Sequence, residues 1–283
     1  MSLADVDDCA AVFTSSLGAV VVELGLRGAS QPVALPDTAR ARIVHVLHTD
    51  PTGSFVARAE DRVAGFAQAT RRGDCWTLVH LFVAPSAQGR GVGRSLLDSV
   101  LAYAPDAWWG IIGSTPDPRA ITAYARLQSF TVHPTVTARG PVRRSPRVVD
   151  AIRARAGTID DLPLTVAVDE RIRGAPRVVD IRHLLETGHD FRVVDGRGYG
   201  LRDEHTVVAV AALDEQAAAT ILSDMLRSIP VGSVVQLPRI TANQQWAIAV
   251  ANDAGLTLRP WGPLVLRGRQ AVPSPFLPHP ALC

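Results

Sequence analysis

The chain has 283 residues, enough for one large or two ordinary domains. With 47% apolar and 20% charged residues it has the composition of a globular protein with a substantial core, which excludes a disordered chain. The net charge is only +2, the 29 basic residues are all arginine, and they form no basic patch interleaved with aromatics. Nucleic acid is therefore not an expected partner, and lysine Schiff-base chemistry is excluded.

Cys9, Cys75 and Cys283 are few and far apart. They read as buried or free thiols of a reducing compartment, and no metal site is expected from them. The acidic start, Met1 to Asp8, has neither a basic nor an apolar segment of the kind that signals export, and no run of about 18 apolar residues occurs. The expectation is a cytoplasmic protein with no membrane partner.

In chain order, Asp5 to Gly25 has helical periodicity, with Ala10, Val12, Phe13, Leu17 and Val20 on its apolar side. A proline-rich connection, Gln31 to Pro36, leads to a second helix over Asp37 to His48. Phe55 to Arg58 and Val63 to Ala69 read as antiparallel strands about a turn at Glu60 to Arg62. Then comes the most informative stretch: an apolar strand ending Leu81-Phe82-Val83, a loop containing Gly89, Gly91 and Gly93, and a helix beginning near Val92 whose Leu96, Leu97, Val100 and Leu101 form one stripe. Glycines expose backbone amides, and a helix start adds its positive dipole end, so strand, loop and helix together suit a pyrophosphate.

The loop lacks the Gly-Lys-Ser/Thr of a P-loop, and its Gly-x-Gly-x-Gly spacing is not the Gly-x-Gly-x-x-Gly of a dinucleotide fingerprint. Gln88-Gly89-Arg90-Gly91-Val92-Gly93 instead resembles the Gln/Arg-x-x-Gly-x-Gly/Ala signature of the GNAT acyltransferase superfamily. Further on, Trp108 to Ile112 reads as a short strand, and Asp117, Ala120 and Tyr124 match the family's Asn-x-x-Ala-x-x-x-Tyr segment with Asp in place of Asn. Asp117 and Pro118 also suit the N-cap and first turn of a helix. The exit departs from the family: Gln128-Ser129-Phe130 replaces Gly-Phe and carries one extra residue. A strand from Phe130 to Ala138 closes the unit.

Beyond a polar joint at Pro141 to Arg147 the chain repeats itself. Thr158 to Leu162 is similar to Ala4 to Asp8, Asp190-Phe191 to Ser54-Phe55, and Leu256 to Pro260 to Phe130 to Pro134. The expected fold is α/β, an α+β mixed sheet, in two tandem GNAT-like domains. These are a catalytic acyl-CoA-binding domain at 1–140, a linker at 141–150, a degenerate GNAT-like domain at 151–270 and a proline-rich surface tail at 271–283. The degeneracy lies in the loop. The interval from Pro85 to Pro105 is 20 residues, whereas the matching interval from Asp214 to Pro230 is 16, without glycine and with the carboxylates of Asp214 and Glu215. The second domain is therefore expected not to bind the cofactor but to pack on the first and wall the acceptor site.

The resemblance implies acyl transfer, most simply acetyl transfer from acetyl-CoA to a primary amine of a small molecule, with no metal. The backbone of Leu81, Phe82 and Val83 would pair with the pantetheine arm, and amides from Gln88 through Gly89, Arg90, Gly91, Val92 and Gly93 to Arg94 would hold the pyrophosphate. Asp117 would touch pantetheine or simply cap its helix. Tyr124 is the family-like general acid, and His80 on the central strand is the first candidate base, with Glu23 the second. Trp108 and Trp109 read as core residues, and Arg143-Arg144 and Arg171 to Arg173 as solvated faces. The alternative is a non-catalytic acyl-CoA sensor or scaffold, to which the altered exit after Tyr124 would point.

Overall fold

A computed structural model describes residues 1–23, 37–147, 152–279 and 281–282. The Gln31 to Pro36 connection and part of the 141–150 joint lie outside the described residues. The first half runs α1 (Val6–Glu23), α2 (Asp37–Thr49), β1 (Ser54–Ala59), β2 (Arg62–Arg72), β3 (Cys75–Val83), α3 (Val92–Ala102), β4 (Trp109–Gly113), α4 (Pro118–Ala125) and β5 (Phe130–Pro141). The second runs β6 (Arg155–Ala156), α5 (Leu162–Arg173), α6 (Val178–Glu186), β7 (Asp190–Val194), β8 (Gly198–Arg202), β9 (Val207–Ala212), α7 (Glu215–Arg227), β10 (Val234–Ile240), α8 (Gln245–Asp253), β11 (Thr257–Arg267) and β12 (Phe276–Leu277).

Local chemistry explains the elements. Glu60 and Asp61 both take positive φ, 48° and 64°, the handedness of a tight hairpin turn whose twist matches its strands, and β1 and β2 pair antiparallel across it. In α3, Leu96, Leu97 and Val100 are buried against the sheet, and the Trp76 indole donates to the Val100 carbonyl in its last turn at 2.9 Å. The two amino-terminal capping boxes show the repeat most clearly. Ser2 and Asp5 open the first half, and Thr158 and Asp161 open the second, so Asp5 is the counterpart of Asp161. That shifts by two residues the register suggested by the sequence alone.

The strands do not sort by sequence position. The seven-stranded sheet has the order β1-β2-β3-β4-β11-β5-β10, so a strand from the second half stands between β4 and β5, and the last strand of the first half pairs with β10. The exchange is reciprocal: β11 pairs antiparallel with β4 from Leu264↔Gly113 to Arg267↔Gly110, and β5 pairs antiparallel with β10 from Val234↔Pro141 to Ile240↔Val136. The second sheet runs β12-β9-β8-β7-β6. Leu264, Val265 and Leu266 on the exchanged strand are each at most 1% exposed. Each such side chain stabilises the joint fold by about 1.5–3 kcal/mol.

A buried ionic cluster also joins the halves. Asp180 of α6 accepts from Arg72 Nε at 2.7 Å and Nη2 at 2.8 Å and pairs with His45 Nε2 at 2.8 Å. Arg72 also reaches Asp50, which takes the Tyr103 hydroxyl at 2.9 Å.

Three expectations are corrected. The described residues of the 271–283 segment, 271–279 and 281–282, do not lie as a surface coil: Phe276, Leu277, His279 and Leu282 are all under 5% exposed, because this proline-rich stretch carries apolar anchors that find a cleft. Arg173 is fully buried rather than solvated and sits in an ion-paired group with Asp169. Trp109 is core, but Trp108 is half exposed, its ring covered by the Arg269 guanidinium at 5.2 Å. Cys9 and Cys75 are buried free thiols, and burial pushes the Cys9 thiol up to about 12.

Candidate active site

The site begins where two parallel strands part. β3 and β4 pair from Cys75↔Trp109 to Leu78↔Ile112 and no further, although β3 continues to Val83 against β2. A bulge at Val79, where the β2 register slips between Gln68 and Ala69, re-aims the strand at the same point. The Ala84 amide donates back to Ala64 on the β2 side at 2.9 Å. By the alternation of strand amides, those of Leu81 and Val83 face the opened edge.

That edge borders a cavity of about 100 Å³ lined by Leu78, Leu81, Phe82, Ser114, Thr115 and Tyr124, among others, with Ser16, Leu17 and Val20 of α1 across from them. Two glycines of the loop are needed for conformation: Gly89 and Gly91 have φ 75° and 83°, and nothing lies within 4 Å of where a Cβ would stand on either. Gly93 is helical with ordinary φ and is not required for that reason. Gly91 is the N-cap of α3 and offers no side-chain cap. The first intrahelical bond runs from Ser95 N–H to the Gly91 carbonyl at 3.0 Å, so the amides before it are left for an anion. Arg90 and Arg94 are exposed beside them and take part in no ion pair among the described residues.

Gln88 braces the loop, donating from Nε2 to the Val83 carbonyl at 3.1 Å and accepting from Arg119 Nη1 at 2.9 Å. Asp117 is a helix cap: its Oδ1 takes the Arg119 amide at 2.9 Å and Arg119 Nε at 3.0 Å. The Arg119 Nη2 also reaches Glu23 at 3.1 Å. Arg119 thus ties α1, the glycine loop and α4 together, a role with no sequence signal because it depends on three separate segments meeting.

Tyr124 lines the cleft, with no hydrogen-bond partner for its hydroxyl among the described residues. Burial, with a smaller contribution from Asp117, raises its pKa, so the phenol keeps its proton. The unusual exit is accommodated by Ser129, which takes φ 66° to turn the chain into β5. His80 is placed elsewhere. Its ring is 1% exposed, with Nδ1 bonded to Gln68 Oε1 at 2.8 Å and Nε2 accepting from Arg42 Nε at 3.1 Å. Burial and the Arg42 charge hold it neutral, its pKa well below the usual histidine value. With both nitrogens committed inside the α1–α2 core, it has no lone pair for the cleft. Glu23 is exposed at the rim, paired with Arg119.

The second half does not line the cavity among the described residues; it holds the wall from behind. Arg239 Nη2 donates to the Gly113 carbonyl at 2.9 Å, and the Ser114 amide donates to the Pro263 carbonyl at 3.0 Å.

A mixed sheet with one opened strand edge, followed by a helix start whose first amides are uncapped, forms the candidate site. Residues 26–130 match the Acetyltransferase (GNAT) family. Mycothiol acetyltransferase of Clavibacter michiganensis subsp. michiganensis is 34% identical over 110 residues, which are 38% of this chain and 35% of that protein. A provisionally assigned acetyltransferase structure from Pyrococcus horikoshii superposes with TM-score 0.77 at 13% identity, covering 100% of this chain and 94% of the other. A tandem GNAT protein from the clavulanic acid biosynthesis pathway superposes with TM-score 0.57 at 14% identity, covering 94% and 96%. The fold is therefore the tandem GNAT-like arrangement expected from the repeat.

Proposed function

We propose that this protein is an acyl-CoA-dependent N-acyltransferase, using acetyl-CoA and transferring the acetyl group directly to a primary amine of a small molecule. The observation that carries this reading is the opened β3 edge and Tyr124 on one cleft, with the uncapped start of α3 following β3 in the chain. Main-chain groups of Leu81 to Val83 pair with the pantetheine arm, and amides from Gly89 to Arg94 receive the pyrophosphate, the Gln88 amide being spent on the Pro85 carbonyl, with Arg90 and Arg94 as charge partners. The Val83 amide faces the thioester oxygen as the oxyanion donor.

The amine nitrogen attacks the thioester carbon, the carbon–sulfur bond breaks, and one nitrogen proton ends on the departing thiolate, giving an amide and the free thiol. A phenol with pKa near or above 10 is a weaker acid than a thiol near 8.5, so full transfer from Tyr124 is uphill by about 2 kcal/mol or more. Tyr124 therefore acts by hydrogen-bonding the developing thiolate, relaying the proton that the new ammonium releases. No imidazole or unpaired carboxylate among the described residues faces the cleft. Holding an amine of pKa about 10.4 neutral at pH 7 would cost roughly 4–5 kcal/mol, whereas an amine near 8 costs only about 1 kcal/mol. The site thus favours acceptors of lower pKa.

A thiol-release assay with acetyl-CoA and a panel of amines graded by pKa tests this. Turnover, with kcat/KM rising with pH toward each amine's own pKa and showing no histidine inflection, is expected. Binding of acetyl-CoA without release of thiol against any amine would establish the sensor reading instead.

A further inference from the structure

The second half retains the cleft of the first, but something fills it. β9 is the counterpart of β3, and Ala212 stands at the position of Val83. Its edge away from β8 first meets β10 in a parallel bridge at Thr206↔Gln236, as β3 meets β4, and the strands then part. On the edge so opened lies β12, antiparallel, with Phe276↔Ala211 and Leu277↔Val210 in register. The Ala212 amide donates to the Pro275 carbonyl at 2.9 Å.

We propose that the former cofactor cleft of the second half is a peptide-binding site whose occupant is the chain's own tail, described at 272–279 and 281–282, with its extended Phe276–Leu277 standing in for a pantetheine arm. The comparison with pantetheine rests on the proposed reading of the first half; the peptide site itself does not.

The recognition is built from donors. Three side chains at the start of α8 bind three consecutive tail carbonyls: Asn243 Nδ2 to Val272 at 3.1 Å, Gln244 Nε2 to Pro273 at 3.2 Å and Trp246 Nε1 to Ser274 at 2.7 Å. Pro273 and Pro275 bring carbonyls but no N–H, so a donor-lined cleft leaves no tail amide unsatisfied at these positions. Phe276 and Leu277 are 1% and 3% exposed, with the Arg177 guanidinium 5.2 Å from the Phe276 ring. Arg177 Nη1 donates to the Leu282 carbonyl at 2.9 Å, fixing the far end. At the helix start, where the first half leaves amides open, Asp214 takes the Ala217 amide at 2.9 Å and Arg197 at 2.8 Å, and the Ser274 hydroxyl donates to Glu215. Strand, helix start and polar clamp are all engaged by protein groups.

The test uses the full-length chain carrying Phe276→Ala and Leu277→Ala. Amides of Val210 to Ala212 should exchange hydrogen at least tenfold faster than in the wild type, and carboxypeptidase should digest past residue 276 where the wild type resists. A synthetic peptide of residues 272–282 should restore slow exchange saturably, and a scrambled peptide should not. Unchanged exchange, or equal effects of the two peptides, would overturn the proposal. Because the double variant could loosen the whole second half, Trp246→Phe, which keeps the ring and removes the donor to Ser274, serves as the milder variant. Acceleration confined to β9 and the tail is expected, and uniform acceleration through residues 155–267 would overturn it. Acetyl-CoA should slow exchange at Leu81 to Val83 in every variant; failure there would refute the reading of the first half while leaving the peptide site standing.

Discussion

The starts of α3 and α7 are the same position in two copies of one fold, and they are finished in opposite ways. α3 begins at a left-handed glycine with its amides open, whereas α7 begins at Asp214, whose carboxylate already accepts the Ala217 amide. Burial opposes ionisation of Asp214, but the Ala217 amide and Arg197 outweigh it and hold the carboxyl below its usual range. A helix start can thus be satisfied from within, for stability, or left to a ligand, for binding. One residue type decides which.

The largest expected effect concerns what joins the halves. Asp180→Asn removes one partner of a buried ionic cluster and should destabilise the protein by about 3–5 kcal/mol in denaturant unfolding. Burial works against the charge on Asp180, but hydrogen bonds from His45 and Arg72 prevail, so its folded pKa lies far below the roughly 3.9 of an unfolded aspartate. Its contribution is complete above that value and is lost as pH falls below it. The wild-type Tm should therefore drop on acidification below about pH 4 more steeply than that of the variant.

Next, Gly91→Glu places a side chain at φ 83° and a carboxylate on the anion seat, imitating the second half within the first. Acetyl-CoA affinity should fall at least about 100-fold by calorimetry, equivalent to about 2.7 kcal/mol, with the fold retained by circular dichroism. Unchanged affinity would falsify the assignment of the loop. Tyr124→Phe should lower kcat by about 10–100-fold while the Kd for acetyl-CoA stays the same; full activity would remove the phenol from the chemistry. The smallest effect is the converse of the loop variant: Asp214→Ala should cost about 1 kcal/mol as a lost cap. Acetyl-CoA stoichiometry should remain one per chain, because the tail still occupies the cleft.

How far the sequence reaches follows from the range of each interaction. The glycine loop, the stripe of α3, the Asp117 cap and the loss of the second loop were all legible, since each depends on residues within a turn or two of one another. His80 was misleading because an imidazole on an apolar strand looks the same whether it faces a cleft or, as here, Gln68 and Arg42 on another helix and strand. The tail looked like surface coil because its prolines break local periodicity, while its burial depends on β9 and α8, 60 and 30 residues away in the chain to within about ten. The strand exchange left no mark at all: β5 and β11 have ordinary strand patterns, and only pairing in space reveals which sheet each completes.

That exchange has a consequence for biosynthesis. A nascent chain that has emerged only as far as Pro141 holds the whole glycine loop, yet the seam between β4 and β5 stays unfilled until Arg267 has been made. Until then two strand margins stand without neighbours, the condition under which chains pair wrongly with one another. The amino-terminal half must therefore wait, partly assembled, until β11 has left the ribosome.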